Sequence, residues 1–182
     1  MRGENVRIGD LEVVAAREAD LGAVVSILVE ASKWLTARSI NQWPLDQLLA
    51  KSTVSWISER CRDGEVFLVQ EGPEVAATFT LVPRLTFRDH RLWGDRDDDA
   101  VYLHGLAVRR RFGGREIGRR IIGFCEKMGF DLGKSFIRLD CWKRNPALVS
   151  YYSGLGFTAI GECESGIPGY EAVLFEKALP VS

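Results

Sequence analysis

The sequence predicts one α/β (α+β) domain, and three observations carry that expectation. Short runs rich in β-branched and aromatic residues alternate with longer stretches whose apolar residues recur at helical spacing. No internal repeat, low-complexity segment or Ser/Gly linker divides the chain. Its 182 residues are 46% hydrophobic with six prolines, enough to enclose a sizeable core in a single domain.

The elements follow in order. Met1 to Asp10 is polar and is expected to be a flexible N-terminus, so the domain is placed over residues 11–182. Leu11 to Ala16 reads as a strand, and Asp20 is expected to cap a helix whose stripe is Leu21, Val24, Val25, Leu28 and Ala31. A second helix is expected from about Asp46 to Arg62, stopped by Gly64. Glu65 to Gln70 and Val75 to Val82 flank the turn residues Glu71-Gly72-Pro73-Glu74 and read as an antiparallel hairpin. Pro83 to Ala100 shows no periodicity and is long for a connection, which predicts a functional flap or mobile excursion. Val101 to Val108 is the next strand, and Ile117, Ile121, Cys125, Met128 and Leu132 keep helical spacing until Gly133. Phe136 to Trp142 reads as a strand, and Asn145-Pro146 as a cap with proline at the first helical position. Phe157 to Glu164 and Tyr170 to Lys177 close the chain as strands across a turn at Ser165 to Gly169.

Composition excludes several function classes. Net charge is −1, although 18 of the 24 basic residues are arginine, so bulk nucleic-acid binding is not indicated. Cys61, Cys125, Cys141 and Cys163 lie far apart without a Cys-x-x-Cys pair, which fits buried thiols in a reducing compartment and no metal. Asp95-Arg96-Asp97-Asp98-Asp99 lacks the glycine and distal glutamate of a calcium loop. No secretion signal and no membrane span is read, so a soluble cytoplasmic protein is expected.

The stretch richest in chemistry is Leu103 to Gly118, an apolar strand that enters a helix through a basic, glycine-rich turn. Glycines let the backbone approach a phosphate, and the first helical N–H groups lack intrahelical acceptors. Six arginines between Arg109 and Arg120 oppose the helix dipole, which a bound anion would compensate. A dinucleotide fingerprint fails because position 115 is arginine, and a P-loop fails because Gly118 is followed by Arg119 and Arg120.

What remains resembles the acetyl-CoA loop of the GCN5-related N-acetyltransferases (GNAT), which follows a strand ending like Leu106-Ala107-Val108. Asn145 to Phe157, with Tyr151-Tyr152-Ser153-Gly154-Leu155-Gly156-Phe157, is similar to the family's Asn-to-Tyr-x-x-x-Gly-Phe segment. The resemblance spans nearly the whole chain. It implies a central mixed, mostly antiparallel twisted sheet of about seven strands, flanked by about four helices and splayed where acetyl-CoA binds. Cofactor contacts would then come from Leu106, Ala107, Val108, Arg111, Gly113, Gly114, Arg115, Glu116, Ile117, Gly118, Arg119, Asn145 and Tyr152. Gly113 stands where the family usually has Gln or Arg, and Glu116 where it usually has glycine, so binding is expected to survive in weakened form.

The family moves acetyl directly from acetyl-CoA to an amine, without a metal. A lysine-like amine is mostly protonated at neutral pH, so a base must take a proton before attack. Tyr152 matches the family's acid for the departing thiolate. Two residues compete as base. His104 sits in a strand similar to that of arylalkylamine N-acetyltransferases, with Tyr102 at the position of their second histidine. Asp140 matches an acidic residue of ribosomal-protein alanine acetyltransferases, unless it pairs structurally with an arginine such as Arg138. Trp34, Gln42 and Trp43 are the acceptor-binding candidates, with Asp97, Asp98 and Asp99 able to attract a cationic amine. The implied partner is a small-molecule or peptide amine, not nucleic acid or membrane, and a homodimer stays open. The alternative is a non-catalytic acyl-CoA-binding or protein-interaction module on the same fold.

Overall fold

The computed structural model of the protein describes residues 5–94, 99–164 and 170–180. Its elements are β1 (Val6–Ile8), β2 (Leu11–Ala15), α1 (Leu21–Thr36), α2 (Leu45–Leu48), α3 (Lys51–Asp63), β3 (Val66–Glu71), β4 (Glu74–Val82), α4 (Phe87–Trp93), β5 (Ala100–Val108), α5 (Ile117–Asp131), β6 (Phe136–Trp142), α6 (Pro146–Gly154), β7 (Thr158–Glu164) and β8 (Glu171–Ala178). The eight strands run in the order β1-β2-β3-β4-β5-β6-β8-β7, and β5 with β6 is a parallel pair in an otherwise largely antiparallel sheet. Among the described residues, no helix is long and apolar enough to cross a membrane. The expected mixed α/β fold is found, with one strand and two helices more among the described residues than the sequence suggested. The turn at 165–169 and Asp95 to Asp98 lie outside the described residues.

Two compact units make up the chain, Met1–Leu81 with Gly105–Ile122 and Val82–His104 with Gly123–Ser182. In the first, β1 folds back on β2 across Gly9, whose φ of +70° suits the tight reversal. The hairpin of β3 and β4 forms as its turn residues predict, with a register shift between Val69 and Gln70. The apolar stripe of α1 (Val24, Ile27, Leu28) meets Ile57 and Cys61 of α3 and Val66, Leu68 and Ala107 in one core cluster.

Two local expectations change. Asp20 does not cap α1: its carboxylate accepts from the Arg17 N–H at 2.9 Å and closes a short 3-10 turn that leads into the helix. The single helix expected over 46–62 is two, because Ala50 is extended (ψ 139°) and starts α3 afresh. Both pieces still direct apolar side chains, Leu48 and Trp56, onto the same core.

The second unit is organised by β8, which lies antiparallel to β6 on one side and to β7 on the other. Gly129 of α5 admits close packing there, since a Cβ would come within 2.6 Å of the Leu179 side chain. The stretch 83–100 holds a helix, α4, that hydrophobic spacing alone does not reveal. A capping box starts it: the Asp89 carboxylate accepts from both the N–H and the hydroxyl of Thr86, at 2.8 and 2.6 Å.

Candidate active site

In the first unit, the turn between β5 and α5 is defined by its torsions. After a 3-10 turn at Arg110–Phe112, Gly113 is extended (φ −60°, ψ 150°), Gly114 has φ +79° and Glu116 has φ +54°. Left-handed residues in such a turn direct successive N–H groups toward one side, which makes an anion-binding concavity. The Arg120 N–H donates to the Glu116 carbonyl at 3.1 Å, so the N–H groups of Ile117, Gly118 and Arg119 come before the first turn of helical bonding.

The two departures from the family pattern acquire physical reasons here. A Cβ at Gly113 would sit 3.1 Å from the Arg110 carbonyl, tight enough to disfavour a larger residue in this turn. At Glu116 the backbone takes the conformation that glycine adopts freely, and the 71% exposed side chain points to Arg119 at 3.3 Å. Left-handed backbone costs a non-glycine residue about 1–2 kcal/mol, against roughly 0.5–1 kcal/mol of extra chain entropy lost by glycine. Glu116→Gly is therefore expected to raise the melting temperature by about 1–3 °C. A lowered melting temperature would show that the left-handed backbone carries no strain.

Five of the six arginines divide into two groups. Arg109 binds Glu30 at 2.7 Å, the Ser26 hydroxyl at 2.8 Å and the Val75 carbonyl at 3.1 Å. Partial burial raises the pKa of Glu30, but bonds from the Arg110 N–H and Arg109 outweigh it and hold the carboxyl below its ordinary value. Arg115 makes a two-pronged pair with Glu71 and also approaches Asp10, while Arg120 reaches Asp10 and the Ile8 carbonyl. Arg120 holds the Asp10 carboxyl, and Arg115 the Glu71 carboxyl, below the usual range. The protein's own carboxylates thus compensate Arg109, Arg115 and Arg120. Arg111 and Arg119 are 55% and 60% exposed and hold surface pairs, to Glu74 and Glu116, of the kind that contribute little stability.

The other cofactor candidates fall in both units. Leu106 to Val108 form the last part of β5, with Ala107 in the core and the adjoining Arg109 N–H bonded to the Ala76 carbonyl at 2.8 Å. Asn145, in the second unit, caps α6 as expected, accepting from the Leu148 N–H at 3.3 Å.

Tyr152 of α6 is buried against the rings of Tyr151, Phe157 and Phe175, with centroids 5.5–5.9 Å away. Burial pushes its phenol far above the ordinary value, so it remains protonated.

His104 and Asp140 do not stand alone in the second unit. His104 Nε2 lies 3.3 Å from the Asp89 carboxylate, and Asp140 accepts from the Tyr170 hydroxyl at 3.3 Å. Arg138 is not the partner of Asp140; it binds Glu176 and the Tyr102 hydroxyl, each at 2.8 Å. Burial raises the Asp140 carboxyl above its ordinary value, opposed by nearby His104 and the Tyr170 bond and assisted by Asp89. With a folded pKa above the unfolded value of about 3.9, stability is lost as pH rises between the two. Asp140→Asn is expected to match the parent protein below about pH 4 and to exceed it in urea midpoint at pH 7. A lower midpoint at pH 7 would mean that attraction to His104 outweighs burial. Asp89 escaped the sequence reading, although Thr86-Phe87-Arg88-Asp89 carries the capping signal that places it.

Of the acceptor candidates, Trp34 lies between the guanidinium groups of Arg38 and Arg110, 3.9 and 4.2 Å from its ring centroid. Gln42 is buried, and Trp43 packs on the first unit's core while its carbonyl accepts from the Ser32 hydroxyl at 2.6 Å. Asp99 accepts from the Ser135 and Phe136 N–H groups through its carbonyl. Asp97 and Asp98 lie outside the described residues.

Comparison with known proteins agrees with this architecture. The chain is 35% identical over 161 residues to the uncharacterized N-acetyltransferase YesJ of Bacillus subtilis (strain 168), covering 88% of this chain and 86% of that one. A GNAT-family acetyltransferase from Listeria monocytogenes superposes with a TM-score of 0.78 at 29% identity, over 97% of this chain and 100% of that one. The putative acetyltransferase yncA from Salmonella typhimurium, solved with its cofactor acetyl-CoA, shares the fold at a TM-score of 0.65 and 17% identity, over 94% and 95% of the two chains. The acetyltransferase (GNAT) family pattern matches residues 29–157, a span that includes the β5–α5 turn and ends at Phe157; the chain belongs to the GNAT family of acetyltransferases.

Proposed function

We propose that this chain transfers acetyl from acetyl-CoA directly to a primary amine, on a small molecule or a peptide. The observation that carries the reading is the β5–α5 turn: Gly114 and Glu116 are left-handed, and the N–H groups of Ile117, Gly118 and Arg119 precede the helical bonding. A Cβ on Gly114 would meet nothing within 4 Å, so the turn is open as well as polar. That donor set fits a pyrophosphate, with Arg111 and Arg119 as the cations able to turn to it.

When bound, acetyl-CoA supplies the activated thioester carbonyl. Backbone groups of Leu106, Ala107 and Val108 are suited to hold the pantetheine arm as an added strand. Tyr152, which keeps its proton, is suited to give a hydrogen to the departing thiolate. His104 and Asp140 are the groups suited to take the proton of the ammonium. The exposed Glu116 side chain is turned to Arg119, so Glu116→Gly is expected to tighten acetyl-CoA binding in a calorimetric titration.

The test combines thermal shift with thiol release across a diverse amine panel. Acetyl-CoA at 100 times its Kd is expected to stabilise the protein by about 2.7 kcal/mol, and at least one amine to release CoA. Absence of stabilisation overturns the cofactor assignment. Stabilisation without thiol release from any amine favours an acyl-CoA-binding module.

A further inference from the structure

Capping a helix requires one carboxylate oxygen, and the second oxygen of Asp89 faces His104. Its Oδ2 receives the N–H and hydroxyl of Thr86 at 2.8 and 2.6 Å, completing the capping box of α4. Its Oδ1 lies 3.3 Å from His104 Nε2, within ion-pair distance but without the alignment of a hydrogen bond. The Asp89 side chain is only 1% exposed, and a carboxylate so placed is costly unless a donor or a cation faces it. From β6, Asp140 also lies within electrostatic reach of His104, and Tyr170 donates to its Oδ2 at 3.3 Å. The two acidic groups facing the imidazole therefore come from different elements and have different second partners: Asp89 is tied to a helix start, and Asp140 to a phenol.

We propose that Asp89 is a positioning residue for proton abstraction by His104: its carboxylate holds the ring with Nε2–H toward Oδ1, which places the basic lone pair on Nδ1, and steadies the imidazolium that results. This rests on the amine-acetylation reading above. The ammonium N–H bond breaks and an Nδ1–H bond forms, leaving a neutral amine to attack. The second proton, shed as the nitrogen gains acetyl, replaces the one that Tyr152 gives to the departing thiolate, and the imidazolium returns its own to water. Asp140 is the competing base candidate, with its Oδ2 already accepting from Tyr170. A neutral imidazole has one donor and one acceptor nitrogen, so the group facing Nε2 decides which nitrogen is the base.

Asp89→Asn separates the two functions of the carboxylate. The amide oxygen can still cap α4, whereas its N–H₂ group facing Nε2 drives the ring hydrogen to Nδ1. Expected results are a fall in kcat of about 100-fold with the amine KM nearly unchanged, and an acid limb of the kcat/KM profile moved to lower pH. His104→Ala should cause a similar fall, and the double variant no further one. Ring nitrogen NMR reads the tautomer without turnover. The chain has two histidines, His90 and His104, so the His104→Ala spectrum assigns the signals. The unsubstituted protein should show hydrogen on Nε2, and Asp89→Asn should move it to Nδ1. Hydrogen on Nδ1 in the unsubstituted protein overturns the proposal even if Asp89→Asn does not fold. Turnover with an unaltered pH profile in a folded Asp89→Asn protein overturns it while leaving the acetylation reading intact. Failure of the unsubstituted protein to acetylate any amine overturns that reading and the abstraction step with it, while the tautomer still reports the pairing.

Discussion

Glu176→Ala is expected to destabilise the protein by about 3 kcal/mol, because removing one partner of a buried ion pair leaves the other charge uncompensated. The Arg138 side chain is 7% exposed and that of Glu176 19%. The Tyr102 hydroxyl and the rings of Trp93 and Phe136, with centroids 5.4 and 5.7 Å from the guanidinium carbon, would remain around it. Those groups solvate a cation but do not neutralise it. Glu176→Gln retains an acceptor for the Arg138 Nε–H and should lose less than half as much. Urea unfolding at constant m-value reads the difference. If the alanine variant stays within about 0.5 kcal/mol of the parent, the pair behaves as a surface pair.

Tyr152→Phe is expected to lower kcat by about 100-fold or more, as general-acid groups do, with acetyl-CoA binding and stability nearly unchanged. Phenylalanine keeps the ring contacts with Tyr151, Phe157 and Phe175, so the comparison isolates the hydroxyl. Burial raises the phenol's pKa, so ionisation of Tyr152 should contribute no alkaline limb to the parent's pH–rate profile below about pH 10. A kcat within twofold of the parent would leave Tyr152 a packing residue only.

Local signals made much of the fold legible. Gly72-Pro73 gave away the β3–β4 hairpin, Asn145-Pro146 the start of α6, and a stripe from Ile117 onward the helix α5. The helix α4 was hidden because two turns are too short for a periodic stripe, and β1 because three residues cannot show alternation. At the site, resemblance pointed to His104, Asp140 and Tyr152, but Asp89 reaches His104 only through tertiary packing. The same limit applies to the arginine-rich turn. Charge counting suggested a bound anion for all six cations, whereas Glu30, Glu71 and Asp10, each distant in sequence, answer three of them.

The left-handed backbone at Glu116 means that handedness, rather than residue type, is what position 116 specifies. An achiral residue meets that demand freely, and a D-amino acid would meet it in its own preferred conformation, whereas an L-glutamate does so under strain. Written in letters, the motif has an exception at this position. Written as the signs of its torsions, positive at 114 and again at 116, it gives a rule that can be compared with the turn of any relative regardless of the side chain it carries.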